Sequence, residues 1–234
     1  MNKPIAIITG ASTGIGRSLS IKLSKRYFIY LISRNKNKLQ ETNEIINNLN
    51  NECKIIVADI SKKESIDIIY SQIENKENIE LVINNAGIAI FNNITDLSIE
   101  DWDQQINTNL RGSFLITKMI INDLKSKKSG KIVFINSIAG LKPYKDSTAY
   151  IASKYGLRGF SAALRSELRE YNIQVISIHP GAIDTPLWDN IVEDDIRKEM
   201  MSVENVSDII INAINSPSNC TTEEIIIRTV KGDF

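Results

Sequence analysis

The sequence predicts an α/β fold: a doubly wound, seven-stranded parallel sheet with helices on both faces, in a single domain. Three observations carry this expectation. Short runs rich in Ile and Val alternate with longer amphipathic stretches along nearly the whole chain, the order expected of a parallel sheet buried on both faces. The 234 residues suit one large domain, which buries roughly 70–75% of its unfolded surface without staples. No internal repeat and no Pro/Gly/Ser-rich linker divides the chain.

The elements follow in order. Ile5–Thr9 is an unbroken apolar run closed by Gly10, and the helical pattern of Gly14–Lys25 begins as soon as a glycine-rich turn ends. Phe28–Ser33 is a second strand, rich in aromatic and β-branched residues, and the amphipathic stretch Asn37–Leu49 follows it. Lys54–Ala58 with the helix Lys62–Asn75 repeats the unit. The strand Leu81–Asn84 is stopped by Asn85-Ala86-Gly87, after which Ile99–Ser126 reads as one long helix. Then come the strand Lys131–Ser137, the helix Thr148–Tyr171, the strand Gln174–Ile178, the helix Val203–Asn215 and a last strand, Glu224–Arg228. Ala182–Met201 stands apart, since it mixes Pro186, Leu187 and Trp188 with a cluster of acids, and is expected to form a substrate lid.

Composition removes several function classes. The 28 basic and 28 acidic residues balance and are dispersed, so no global field attracts nucleic acid or an anionic membrane. Basic and aromatic residues are not interleaved in the manner of a single-strand binder. The Ile-rich segments are interrupted by Lys, Asp, Glu or Asn before they reach the roughly 18 residues of a membrane span. Cys53 and Cys220 have neither metal-ligand spacing nor the density of a disulfide framework. The first apolar run is too short for a signal sequence. The expectation is a reduced, cytoplasmic protein with no metal, whose partner is a small molecule.

The motifs begin where the first strand ends, in Thr9-Gly10-Ala11-Ser12-Thr13-Gly14-Ile15-Gly16. Glycines there let backbone approach a pyrophosphate, and the helix that starts at once offers unpaired N–H groups and the positive end of its dipole. The spacing is G-x-x-x-G-x-G, and the same residues would also serve a plain tight turn. At the end of the second strand an acid would accept from a ribose 2′-hydroxyl, but Ser33-Arg34 stand there. Arg34 can fork onto a 2′-phosphate, which favours NADP(H) over NAD(H), or it can be one more solvated cation beside Lys36 and Lys38. Asp59, followed by Ile60, either accepts from an adenine amine or caps the next helix.

Tyr150 and Lys154 lie at i, i+4 near the start of a helix, so both face one way, and an ammonium beside a phenol can lower a pKa that is normally about 10. Ser137 ends the fifth expected strand, at the sheet edge where such folds place ligands; its hydroxyl can hold a substrate oxygen or cap a turn. Asn84-Asn85-Ala86-Gly87 ends the fourth strand, either as turn chemistry or as a small-residue surface for a ribose or nicotinamide. Every one of these groups falls at the same end of successive strands or at the start of the following helix.

With these residues in order, the chain resembles the short-chain dehydrogenase/reductase family in its compact, single-domain, Rossmann-type branch. The likeness runs from Thr9 to the Arg228–Phe234 tail. It rests on the Thr9–Gly16 turn, Asp59, Asn84–Gly87, Asn109 within Asn107-Thr108-Asn109-Leu110, Ser137, Tyr150 with Lys154, and Pro180-Gly181 with Thr185. The resemblance implies an enzyme that moves a hydride between nicotinamide and a carbonyl or alcohol. Tyr150 would be the proton donor, Ser137 would orient the carbonyl oxygen, and Lys154 would bind the nicotinamide ribose and tune Tyr150. Asn109 would hold a water linking Lys154 to solvent, which completes a proton relay.

The cofactor would be held by Gly10, Ser12, Thr13, Gly14, Ile15, Gly16, Arg34, Asp59, Ile60, Asn85, Ala86, Gly87, Tyr150, Lys154, Pro180, Gly181, Ile183 and Thr185. Many NADP(H) members carry a second basic residue where Thr13 stands, so specificity would rest on Arg34, with NAD(H) as a second cofactor. His179 is not at a family catalytic position and reads as structural. The family's pocket walls map onto Ile88, Ile90, Phe91, Ala139, Leu141, Tyr144, Leu187, Trp188 and Ile191, for a substrate that the residues do not name: a 3-oxoacyl thioester, a small hydroxy acid or amino acid, a pterin-like carbonyl, or another aldehyde or ketone. A homodimer or homotetramer is expected. The alternative functions are a non-catalytic NADP(H)-binding sensor or scaffold, which has no need of Tyr150 beside Lys154, and an epimerase or dehydratase of the longer branch, which would carry an added C-terminal region.

Overall fold

A computed structural model describes residues 3–189, 191–217 and 219–232. Asn190 of the expected lid and Asp233 and Phe234 of the tail lie outside the described residues. Seven strands form one parallel sheet in the order β3-β2-β1-β4-β5-β6-β7. They are β1 Ile5–Thr9, β2 Phe28–Ser33, β3 Cys53–Val57, β4 Ile79–Asn84, β5 Gly130–Ile135, β6 Ile173–Pro180 and β7 Glu224–Ile227. The order reverses between β1 and β4, and there the loops leaving the two strands part in opposite directions, which opens a crevice at their carboxyl ends.

The helices are α1 Gly14–Leu23, α2 Lys36–Asn48, α3 Lys63–Gln72, α4 Ile99–Gln105, α5 Gly112–Lys127, α6 Thr148–Leu168, α7 Asp194–Arg197 and α8 Val203–Ile214. Alternate strand residues feed two cores. Ala6, Ile8, Leu31 and Ile83 face Leu19 of α1, Leu39 and Ile46 of α2, and Ile210 of α8. Ile7, Ile32, Val82 and Phe134 face Ile69 of α3, Ile116 and Leu124 of α5, and Leu157 of α6. Both faces of the inner strands are therefore dry, which is why their sequences read as continuous apolar runs rather than alternating ones.

Four expectations need correction. The segment Ile99–Ser126 is not one α-helix, because Ile106–Arg111 between α4 and α5 is π-helical, a local widening of the backbone bonding that tends to occur at functional positions. β5 stops at Ile135, so Ser137 stands two residues past the strand, where it begins a 3₁₀ turn at Ile138–Gly140. The helix after Tyr150 ends at Leu168 and passes through a 3₁₀ turn to Asn172, whose φ of 53° turns the chain into β6. The Ala182–Met201 segment contains structure that periodicity did not announce: a 3₁₀ turn at Pro186–Trp188, and α7. Its two ends are tied together, with Asp184 N–H donating to Met201 O at 3.0 Å and Met201 N–H to Ala182 O at 3.1 Å. Among the described residues no helix is long and apolar enough to cross a membrane.

Candidate active site

The glycine turn after β1 is clamped from the neighbouring strand. Thr9 Oγ1 donates to Ile83 O at 3.3 Å and accepts from the amides of Asn85 and Ala86 at 3.0 and 3.1 Å. Asn85 Nδ2 returns to Thr9 O and Gly10 O at 3.0 and 3.2 Å. Gly10 sits at φ 66°, and a Cβ there would lie 2.7 Å from Asn85 Nδ2, so the turn is built for glycine. A Cβ on Gly16 would approach Gly10 O to 2.3 Å. Gly16 therefore serves close packing of α1 on the turn and does not line the cleft, whereas Gly10, Ser12, Thr13, Gly14 and Ile15 do.

That cleft, about 720 Å³ in volume, runs along the carboxyl edge of the sheet. Thr13 begins α1 without a side-chain cap, so the first amides of the helix face the cleft unserved by a hydroxyl. Ser12 Oγ is bonded to Ser33 Oγ at 2.9 Å, which joins the turn to the end of β2. Arg34 lines the same end and is exposed. Asp59 lines it too, with Oδ1 accepting from Ser61 N and Ser61 Oγ at 3.0 and 2.7 Å. Burial pushes the Asp59 carboxyl up, but the Ser61 hydrogen bonds and the charges of Arg34 and Lys62 outweigh it and leave the group below its ordinary value. The residue capping α3 is Lys62, so Asp59 fixes a turn before the helix instead of capping it. Ile60, Asn85, Ala86, Gly87, Pro180, Gly181, Ile183 and Thr185 complete the wall.

At the other end Ser137, Tyr150 and Lys154 meet. Ser137 Oγ accepts from Ala139 N at 3.1 Å, which realises the turn-capping reading, and its interaction with the Tyr150 hydroxyl holds that phenol's pKa down in part. Lys154 is 5% exposed, donates to Ile135 O at 3.1 Å and lies 5.7 Å from the Tyr150 ring centre. Burial lowers its pKa to about 8. The Tyr150 hydroxyl moves the opposite way from the sequence expectation: burial raises its pKa, and the Ser137 hydrogen bond recovers only part of that.

Asn109 is fully buried and outside the cleft lining. Its Oδ1 accepts from Ile88 N at 2.8 Å, and its Nδ2 donates to Ile88 O at 2.9 Å and to Ser153 Oγ at 3.0 Å. Ser153 in turn donates to Tyr150 O at 2.7 Å. The π segment thus fastens the loop after β4 to the first turn of α6. His179 is also fully buried, with Nδ1 3.2 Å from Ser137 O.

Beyond Tyr150 the cleft is apolar. Phe91 meets the Tyr150 ring edge-on at 5.8 Å and lies nearly parallel to Trp188 at 5.8 Å. Ile88, Ala139, Tyr144 and Leu187 line this end as expected, but Ile90, Leu141 and Ile191 do not; the backbone of Ile90 is instead held by Gln105. Ile138, Val192, Ile196 and Met200 are lining residues the sequence did not single out, and Pro186, expected only as part of the lid, lines the cleft as well. Thr229 and Gly232 reach the cleft from beyond β7.

The family model described as short chain dehydrogenase matches residues 4–196. An uncharacterized oxidoreductase of Staphylococcus epidermidis is 32% identical over 232 residues, which cover 98% of this chain and 99% of that one. A sepiapterin reductase of Chlorobaculum tepidum is 32% identical over 248 residues, 99% of this chain and 98% of the relative. Among solved structures, a metagenomic short-chain oxidoreductase in complex with NADP superposes with a TM-score of 0.85 at 25% identity, covering 98% of both chains.

Proposed function

The chain belongs to the short-chain dehydrogenase family, and on that premise we propose that it is an NADP(H)-dependent reductase of aldehydes or ketones whose proton donor is Tyr150. Membership makes it an oxidoreductase of the CH–OH/C=O type with a nicotinamide cofactor and a small-molecule substrate. The observation that carries the finer reading is that Ser137, Tyr150 and Lys154 line one cleft with the clamped glycine turn.

The residues present fit a dinucleotide. Gly10, Ser12, Thr13, Gly14 and Ile15 of the glycine turn line the cleft, α1 starts without a side-chain cap, and Arg34 at the same end would supply the cation for a 2′-phosphate, in keeping with the NADP found in the metagenomic relative. When bound, the nicotinamide supplies or takes the hydride. Tyr150 gives a proton to the carbonyl oxygen in reduction and takes it back in oxidation, and the Ser137 hydroxyl holds that oxygen beside it. Lys154, desolvated and tied to Ile135, would bind a ribose hydroxyl of the cofactor, while Asn109 acts as a positioning residue by locking Ile88 and Ser153. The segment from Ala182 to Met201 serves as the lid, since Leu187, Trp188, Ile196 and Met200 cover the Tyr150 end.

Two further parts of this reading are cell compartment and assembly. The free thiols of Cys53 and Cys220 fit the reducing cytoplasm. Phe114 on α5 and Tyr155 on α6 are more than 40% exposed, as is Ile226 on β7, which suits a homodimer or homotetramer joined through these elements; a light-scattering mass of one 26.3 kDa chain would end that part. The activity itself is tested by NADPH and NADH oxidation against a carbonyl panel with Tyr150→Phe as the blank. Turnover that needs the Tyr150 hydroxyl is expected; tight NADPH binding without turnover would favour a sensor.

A further inference from the structure

Resting on the reductase reading, we infer that the substrate is an uncharged carbonyl compound with a flat aryl group beside the carbonyl, and that the site rejects carboxylates. The charge inventory of the cleft carries the first half. Among the described residues its only ionised side chains are Arg34, Asp59 and Lys154. Arg34 and Asp59 follow β2 and β3, on the far side of the strand-order reversal from Tyr150, which follows β5. Lys154 is buried and gives one of its N–H donors to Ile135 O.

The other cations near the Tyr150 end stand outside the lining. Arg197 binds Asp184 at 2.8 Å through Nε, Asp189 at 2.7 Å through Nη1 and Thr185 O at 3.2 Å through Nη2, so its charge is matched within the lid. Lys142 lies over the Tyr144 ring at 5.2 Å. Arg228 acts on the Tyr144 hydroxyl, where burial raises the pKa and the guanidinium offsets part of the rise. Neither Lys142 nor Arg228 lines the cleft. A carboxylate brought against Tyr150 would lose its water and find, among the described residues, no cation but Lys154, which is itself buried and tied to Ile135 O, so its charge would be poorly matched.

The second half comes from the walls. Phe91, Ile138, Leu187, Trp188, Ile196 and Met200 surround the Tyr150 end, and three of the rings are ordered. Tyr150 meets the edge of Phe91 at an interplanar angle of 70°, and Phe91 and Trp188 are aligned within 14°. This row of rings beside Tyr150 lines the cleft with aromatic surface, and a planar substituent next to the carbonyl matches it better than a flexible chain.

The test is a matched set of carbonyls with NADPH: methyl benzoylformate against benzoylformate, which differ in one ionised group, and 1-phenyl-1,2-propanedione against 2,3-hexanedione. The neutral ester should exceed the carboxylate in kcat/KM by roughly 100-fold, from the unmatched buried charge. The aryl dione should exceed the alkyl one by about tenfold, from ring contact. Trp188→Leu keeps apolar bulk and removes the flat face; it should raise KM for the aryl dione several-fold more than KM for the alkyl one. Equal or better turnover of the carboxylate, or an aryl preference untouched by Trp188→Leu, overturns the inference and leaves the reductase standing. No Tyr150-dependent turnover of any member overturns both.

Discussion

Lys154 directs its ammonium to the main-chain oxygen of Ile135, 3.1 Å away, and not to the hydroxyl of Tyr150 one helical turn earlier. The lysine thereby ties α6 to the carboxyl end of β5, at the cost of carrying a charge where water is excluded.

Lys154→Met should remove activity and stabilise the protein. The folded pKa of about 8 lies below the ordinary lysine value of 10.5, so between those pH values the unfolded chain holds a proton that the folded one has released. Stability therefore rises with pH across that window, and the burial penalty is complete below about pH 8. At pH 7 the variant should gain about 1–2 kcal/mol, the relief of desolvation less the lost hydrogen bond. Calorimetry at pH 7 and at pH 10 checks this: the gain should shrink at the higher pH, and a variant less stable at both would contradict it.

Reduction and oxidation should differ in pH dependence. Burial raises the Tyr150 pKa and Ser137 only partly compensates, so the phenol remains protonated through neutrality. The reduction kcat should be nearly flat through neutrality until Lys154 loses its charge near pH 8, whereas oxidation, which needs the deprotonated phenol, should climb with pH. Ser137→Ala removes the compensating hydrogen bond and should shift the oxidation limb to still higher pH while lowering kcat roughly 100-fold. An unmoved limb would detach Ser137 from the proton transfer.

Arg34→Ala should weaken NADPH by about 1.5–3 kcal/mol, the range for a hydrogen bond to a charged group, and leave NADH nearly unchanged. Titration calorimetry with both cofactors decides it. Equal losses would show that Arg34 does not meet the 2′-phosphate.

Gly16→Ala tests packing apart from ligand contact. The new methyl would stand 2.3 Å from Gly10 O and 2.4 Å from Asn85 Nδ2, so α1 or the turn must shift. A loss of roughly 1–3 kcal/mol in denaturant melts is expected, with NADPH binding impaired through the displaced turn. A variant of full stability would mean that the turn yields more readily than its clamped bonding implies.

The strands were legible because a sheet buried on both faces writes itself as apolar runs, and the Tyr150–Lys154 pair was legible because i, i+4 spacing fixes a shared helix face. What periodicity could not convey depends on contacts distant in sequence. The π segment keeps a helical side-chain pattern while its backbone bonds slip, so Asn109 showed as a motif residue but not as a brace between Ile88 and Ser153. α7 spans only Asp194–Arg197, too short to repeat a pattern, and Val192, Ile196 and Met200 reach the cleft through the way its loop folds back. Ile90, Leu141 and Ile191 belong to irregular segments, where an apolar residue has no periodicity to say which way it faces. The rise in the Tyr150 pKa was hidden for a related reason: spacing reports that a lysine is near, whereas burial of the phenol depends on the whole cleft.

The clamp on Thr9 bears on how the protein comes into being during synthesis. β1 pairs on one side with β2 and on the other with β4, and Thr9 takes its bonds from Ile83, Asn85 and Ala86. A nascent chain that has released only the first two strands from the ribosome has a glycine turn with one wall missing. The turn gains its shape when β4 emerges, and the Thr185 methyl that packs over Gly14 arrives about a hundred residues later, behind β6. Because every parallel pairing must wait for a crossover segment to be made, binding of nucleotide should report on the far end of the chain as faithfully as on the near one. A ribosome-stalled fragment ending before β6 should therefore fail to retain NADPH, although its glycine turn is complete in sequence.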